Sequence, residues 1–245
     1  MLLDNITNMA IEGNTVSSLY LNGSQIWTAE STASGLEAYT WAELRAMSAA
    51  GETGIFNYGE EKTVTFGDGK VAKFCYIGNE ADTNGVVGMV FMQVDNFYSF
   101  QWHSSSSTWK TYSGASISSS LSSKFYTSDA GEHSRIIRKY YQNKNNATTT
   151  TSNTFQVWLP SWKELFNVDM PCVINNGVVY EYTQTEEFQE KLRKGLKDGE
   201  TDLGSYIWLR DNDSTGYAYH GTYNGKTKLL KGWTSSYPSP MVFCV

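Results

Sequence analysis

Cysteine is scarce in this chain, with 3 in 245 residues, at Cys75, Cys172 and Cys244. An odd and widely spaced set rules out a complete disulfide framework. No Cys-x-x-Cys pair is present to hold zinc or run thiol redox chemistry, so all three read as small core residues. Histidine is equally scarce, with 3 residues, His103, His133 and His220. None stands in an H-E-x-x-H spacing, which would gather a metal on one helix face. Charged residues make up 18 % of the chain, below the usual value of roughly a quarter. Net charge is -6, and the densest basic run, Lys191-Leu192-Arg193-Lys194, sits among glutamates. Neutralising phosphates needs a basic face, so nucleic acid is not an expected partner. No apolar stretch approaches the ~20 residues of a membrane helix. Met1-Leu2-Leu3-Asp4-Asn5 lacks a basic n-region. The expectation is a chain made in a cytoplasm, without a Sec signal and without membrane insertion.

What fills the space is aromatic and small polar. Aromatics reach 14 %, with 16 Tyr and 8 Trp, beside 21 Gly. That mix suits a β-rich domain with long polar loops and aromatic contact surfaces. Val16, Leu19, Leu21 and Ile26-Trp27 flank Asn22-Gly23, a strong two-residue hairpin signal. A small polar stretch follows. The division expected is a β-hairpin module over 1–30, a linker over 31–35 and one domain over 36–245.

Within that domain Thr40-Trp41-Ala42-Glu43 and Ser161-Trp162-Lys163-Glu164 are capping boxes that open helices. The clearest helix runs from about Thr185 to Gly199, with Phe188, Leu192 and Leu196 as its buried stripe. Strands are expected at Lys62–Phe66 and Lys70–Ile77 around Gly67-Asp68-Gly69, and again at Val86–Val94, Tyr206–Arg210 and Met241–Val245. Glu132–Tyr141 reads as helical. Asn143–Asn153 reads as an exposed polar loop. Asn175-Asn176-Gly177 reads as a hairpin turn. Capped helices separated by hairpins make the fold class α+β, with a twisted, mostly antiparallel sheet and two main helices near 40–50 and 185–198.

Candidate chemistry is thin. Glu60-Glu61 and Glu186-Glu187 are adjacent carboxylates, and the second pair is explained by a helix's first turn. Asp211-Asn212-Asp213-Ser214-Thr215-Gly216 begins like a calcium loop, but its twelfth position is Thr222 and not a bidentate Glu. No metal, cofactor or catalytic residue is assigned, and the chain reads as a non-enzyme. The informative feature is the segment after 205. Asn212, Tyr217, Tyr219, His220 and Tyr223, with Trp233 and Tyr237, are set among Gly, Ser, Thr and Asn. Such rings give large contact area at low entropy cost, while the small polar residues adapt their hydrogen bonds. Trp208 and Trp233 also suit the core. Next in line as contact surfaces are the Ser-rich 103–123 segment and the 143–153 stretch.

Several short landmarks also carry a resemblance. Ser18-Leu19-Tyr20-Leu21-Asn22-Gly23-Ser24-Gln25-Ile26-Trp27 resembles the β-module at the front of many tail proteins from phages and prophages of gut bacteria. Tyr39-Thr40-Trp41-Ala42-Glu43-Leu44, then Asn57-Tyr58-Gly59-Glu60-Glu61-Lys62, looks like the start of an uncharacterised phage domain family. Trp158–Phe166, Ile207-Trp208-Leu209-Arg210 and Pro240–Val245 follow in the same order. That family is similar to C-type-lectin-like folds, in which the segment before the last strand carries the binding face. The resemblance implies a C-type-lectin-like domain on a virion structural protein, a tail-fibre or tail-tip component that mediates host adhesion. Its implied partners are other tail proteins, sister chains in a homotrimer joined through residues 1–30, and a bacterial surface glycan or protein receptor. A ligand-free capsid or tail decoration protein and a tail-associated glycan depolymerase are the alternatives. The Glu-Pro-Asn and Trp-Asn-Asp sugar-calcium motifs of animal lectins are absent from this sequence.

Overall fold

The structure, a computed structural model, describes residues 10–11, 14–15, 18–21, 24–28, 35–104, 112–143, 146–167, 179–197, 206–212, 218–222, 229–231 and 236–245. By contact the chain divides into two units, 1–39 and 40–245. The expected hairpin is present in the first unit. There β1 (Ala10–Ile11) pairs with β2 (Asn14–Thr15), and β3 (Ser18–Leu21) pairs with β4 (Ser24–Thr28) across Asn22-Gly23.

The second unit is α+β. It opens with α1 (Trp41–Ala49), whose capping box forms as read: Thr40 Oγ1 accepts from the Glu43 N–H at 3.2 Å, and Glu43 Oε2 accepts from the Thr40 N–H at 2.7 Å. β5 (Glu61–Thr65) and β6 (Val71–Ala81) form a hairpin whose turn places Gly69 at φ +82°, a conformation that favours glycine. β7 (Val87–Gln93) and β8 (Ser99–Gln101) follow, then α2 (Ser116–Phe125). The helix expected over 132–141 is instead a short 3-10 turn at Gly131–His133 and the strand β9 (Ile137–Asn143). Burial there alternates: Ile137 and Lys139 lie inside, whereas Ile136, Arg138 and Tyr140 lie outside. A period of two beats the helical reading, and β-branched and aromatic residues favour it. The polar loop expected over 143–153 is likewise a strand, β10 (Asn146–Phe155), paired with β9. Its Thr run is β-branched, and the strand pairs with β9 from Thr150 to Phe155. The expected 175–177 turn lies outside the described residues.

The remaining elements are β11 (Val157–Trp158), α3 (Trp162–Phe166), α4 (Glu186–Lys197), β12 (Tyr206–Asn212), β13 (Ala218–Thr222), β14 (Leu229–Lys231), β15 (Ser236–Pro238) and β16 (Val242–Cys244). Five strands make the main sheet in the order β11-β16-β7-β6-β5, and every described pairing is antiparallel. Register explains its layers. Tyr76, Phe91 and Phe243 are cross-strand partners in one row, and Cys75, Met92 and Val242 form the next, so the two rows face opposite sides. Trp41 of α1 meets Phe91 and Phe243 edge-on at 5.1 and 5.2 Å, and Phe125 of α2 reaches Phe243 at 4.7 Å. On the other side α4 sends Lys191 to Glu61, the cross-strand partner of Cys75, at 3.0 Å. Helices therefore cover both faces.

The terminal strand and Tyr206–Arg210 lie in different sheets: β16 sits inside the main sheet, and β12 belongs to a separate three-stranded sheet, β12-β13-β14. A second aromatic cluster packs β12. Trp208 lies 5.8 Å from Trp102 and 5.2 Å from Tyr237, and Trp102 reaches Tyr112 at 5.8 Å.

Gly195 tests the docking of α4. Alanine is the better helix former by about 1 kcal/mol. A Cβ at 195, however, would stand 1.8 Å from the Val94 carbonyl oxygen, and such overpacking costs roughly 1–3 kcal/mol or more. Gly195→Ala is therefore expected to lower the urea midpoint. A raised midpoint would mean that α4 does not lie on Val94.

Candidate functional site

The residues singled out after 205 fall unevenly. Asn212 closes β12, and Tyr219 and His220 lie in β13. His220 is the cross-strand partner of Trp208, and Tyr219 that of Leu230. Side chains in 211–231 lie outside what is described, as do Tyr217, Tyr223 and Trp233 altogether. Tyr237 is placed differently from the expectation. It is buried at 5 % exposure, edge-on to Trp208, so its ring belongs to the second aromatic cluster. Trp208 is in the core, as its apolar neighbours predict, with its Nε1–H donating to the Phe100 carbonyl at 2.8 Å.

The base of this segment is a buried charge network. Glu164, at 1 % exposure, is the last residue of the second capping box, and its Oε2 accepts from the Ser161 N–H at 2.8 Å. Arg210 of β12, fully buried, donates to the same Oε2 at 3.0 Å and to the Leu159 carbonyl at 2.7 Å. Lys139 of β9 donates to Glu164 Oε1 at 2.9 Å. It also bonds Glu80 of β6, sits 3.2 Å from the Tyr180 hydroxyl and lies 4.4 Å over the Trp158 ring. Burial pushes the Glu164 carboxyl up, but Arg210 and Lys139 prevail and hold it below its ordinary value. Burial, with Glu80 beside it, pushes the Tyr180 hydroxyl well up. The four charges, two of each sign, compensate one another.

Other ionisable residues are similarly engaged. Burial pushes the Cys75 and Cys244 thiols up to about 12, which leaves little thiolate at neutral pH. Three of the four adjacent carboxylates of the sequence turn to cations, Glu61 to Lys191 and Lys73, Glu187 to Lys191, and Glu186 to Arg193, while Glu60 accepts from the Asn57 N–H at 2.8 Å. The His103 Nδ1 accepts from the Ser116 N–H at 3.2 Å, at the start of α2. Among the described residues no group of three or more His, Cys, Asp or Glu is placed to hold a metal ion, and no helix is long and apolar enough to cross a membrane.

An open cleft lies beside α2. It measures about 540 Å³ and is lined by Gly67 and Asp68 of the β5–β6 turn, Phe100 of β8, and Ser119, Ser120, Ser123, Lys124 and Thr127 along and just beyond α2. α2 is made by Ile117, Leu121 and Phe125, all buried, at i, i+4 and i+8. Its other side carries the cleft's hydroxyls. Lys124 Nζ pairs with Asp68 Oδ2 at 2.8 Å, and the Tyr98 hydroxyl donates to the same carboxylate at 2.8 Å. Lys124, Tyr98 and the Lys70 N–H hold the Asp68 carboxyl well below the carboxylate range. Phe100 stacks beside Tyr98 at 5.9 Å and is the cross-strand partner of Tyr237. The cleft thus adjoins the end of the 206–238 segment. Sequence reasoning left α2 unassigned because serine dominates its composition. The spacing of Ile117, Leu121 and Phe125 is the signal that finds it.

No family model, curated protein or solved structure matches the chain.

The depressed Glu164 acidity makes a pH prediction. An unfolded Glu titrates near ~4.3, and the folded carboxyl titrates lower. Its contribution is therefore fully present above the unfolded value and is lost as pH falls through the folded one. Denaturant unfolding at a series of pH values should show stability falling below about pH 5. In Glu164→Gln the curve should start lower and fall less steeply. Parallel curves for the two proteins would remove Glu164 from the account.

Proposed function

We propose that this chain is a non-enzymatic binding component of a bacteriophage tail, with a C-type-lectin-like domain that presents the 206–238 segment to a receptor on the host surface. The observation that carries the reading is the anchoring of β12. Trp208 and Arg210, both buried to 0 % exposure, tie that strand to the second aromatic cluster and to Glu164. A segment held on a rigid base loses less entropy when it is ordered by a ligand. The segment itself has the ring-and-small-polar composition of adaptable contact surfaces. The resemblance of its short landmarks, in their order, to those of phage tail proteins supplies the biological setting.

A binder rather than a hydrolase is favoured by the use made of the charged groups. Glu80, Glu164 and Lys139, which could otherwise serve as acid and base, are satisfied by one another, and Lys139 and Glu164 are each 1 % exposed. A catalytic carboxyl must reach its substrate. The proposed partners are sister chains in a homotrimer, other tail proteins, and a surface glycan or protein.

Immunogold labelling of particles that carry the chain should decorate the tail. Purified protein should compete with those particles for adsorption to host cells. Tyr219→Ala or Tyr223→Ala should weaken competition by about 2 kcal/mol or more at a true hot spot, with thermal unfolding nearly unchanged. Label on the head would favour a decoration role, and reducing ends released from wall glycan would favour a depolymerase. Either result would overturn the reading.

A further inference from the structure

We propose that the cleft between α2 and the β5–β6 turn is a binding subsite for an uncharged sugar ring. The inference rests on the reading of the chain as a binding module, though not on its place in a tail. Its volume of about 540 Å³ falls inside the roughly 300–1,000 Å³ range of small-molecule sites.

Charge selects the ligand class. Asp68 and Lys124 stand 2.8 Å apart on the cleft wall, and both are about two-fifths exposed, at 41 % and 39 %. An anion drawn to the ammonium meets the carboxylate, and a cation meets the reverse. A neutral polyol can use both ends, donating a hydroxyl to the carboxylate and accepting from the spare N–H groups of Lys124.

The hydroxyls point the same way. Six of the ten residues of α2 are serine, although Ser is a weaker helix former than the Lys, Glu or Gln that usually cover an exposed face. Ser119 and Thr127 donate to the carbonyls of Ser116 and Lys124 and keep their acceptor capacity. The hydroxyls of Ser120 and Ser123, three residues apart and so on one side of the helix, make no hydrogen bond to a described protein group. Each is free to give and accept one. Phe100, half-buried on the wall, supplies an apolar ring. The electron-rich face of such a ring attracts the polarised C–H groups on one side of a pyranose. Hydroxyl donors and acceptors, a compensated charge pair and one aromatic face match a sugar and no simple ion.

The test is saturation-transfer NMR on the full chain. The probes are the methyl glycosides of glucose, galactose, mannose and N-acetylglucosamine, with methyl glucuronide and N-acetylneuraminic acid as charged counterparts. At least one neutral glycoside should bind saturably in the millimolar range. A Ser120→Ala/Ser123→Ala double variant should weaken it at least fivefold while unfolding at the same or a higher temperature, since Ala favours the helix. Ser123→Trp, which fills the cleft, should abolish it. Three results overturn the proposal: no neutral glycoside binds, only charged sugars bind, or binding is unchanged in both variants. Glycoside binding that depends on Ser120 and Ser123, in a protein whose antibody does not label tails, sinks the tail reading and leaves the cleft. Tail labelling without glycoside binding does the reverse.

Discussion

The larger unit depends on one buried carboxylate. Glu164 closes the cap of α3 and accepts from Lys139 of β9 and Arg210 of β12, and Lys139 carries the connection on to Glu80 of β6. β9, β12 and β6 lie in three different sheets, so no backbone ladder holds them together. A buried ion out of water is costly unless its partners are all present. That cost becomes a device for specifying arrangement: each element satisfies a charge on another, and a displaced element would leave one unpaired. Apolar packing adds area around this joint, with Trp158 under Lys139 and Tyr112 bonded through its hydroxyl to the Leu159 N–H.

The consequence for function is a division of labour between residue types. A chain with few charges places several of them inside or in ion pairs. The surfaces proposed for recognition carry hydroxyls and rings, with the Asp68–Lys124 pair compensated in the cleft. The 206–238 segment and the α2 cleft share that character, and they meet where Phe100 pairs with Tyr237 across β8 and β15.

Local signals were legible in the sequence. Both capping boxes, the Asn22-Gly23 hairpin, the glycine turn at 67–69 and the Phe188–Leu196 stripe all correspond to elements of the fold, because each rests on contacts within a few residues. The α+β class followed from them. The misreadings share a cause in contacts that lie outside the run being read, with a neighbouring strand or a distant charge. A Thr- and Asn-rich run reads as loop until β9 lies beside it. Glu132–Tyr141 reads as a helix until β10 pairs beside it and Lys139 meets Glu164 and Glu80. The separation of β12 from β16 into different sheets depends on contacts that no local spacing encodes. Of the candidate residues, Tyr237 was misplaced because Ser and Pro neighbours look exposed in sequence, whereas its strand pairs with β8 and turns the ring toward Trp208.

Native-state hydrogen exchange on Arg210→Met tests the central claim directly. The substitution keeps an apolar stem but removes the guanidinium from Glu164. If the carboxylate joins the sheets, amide protection should fall together in Ile207–Leu209 of β12, in Ile137–Lys139 of β9 and in α3, because all share one opening event. Protection lost in β12 alone, with β9 and α3 unchanged, would contradict the account and reduce Glu164 to a local cap.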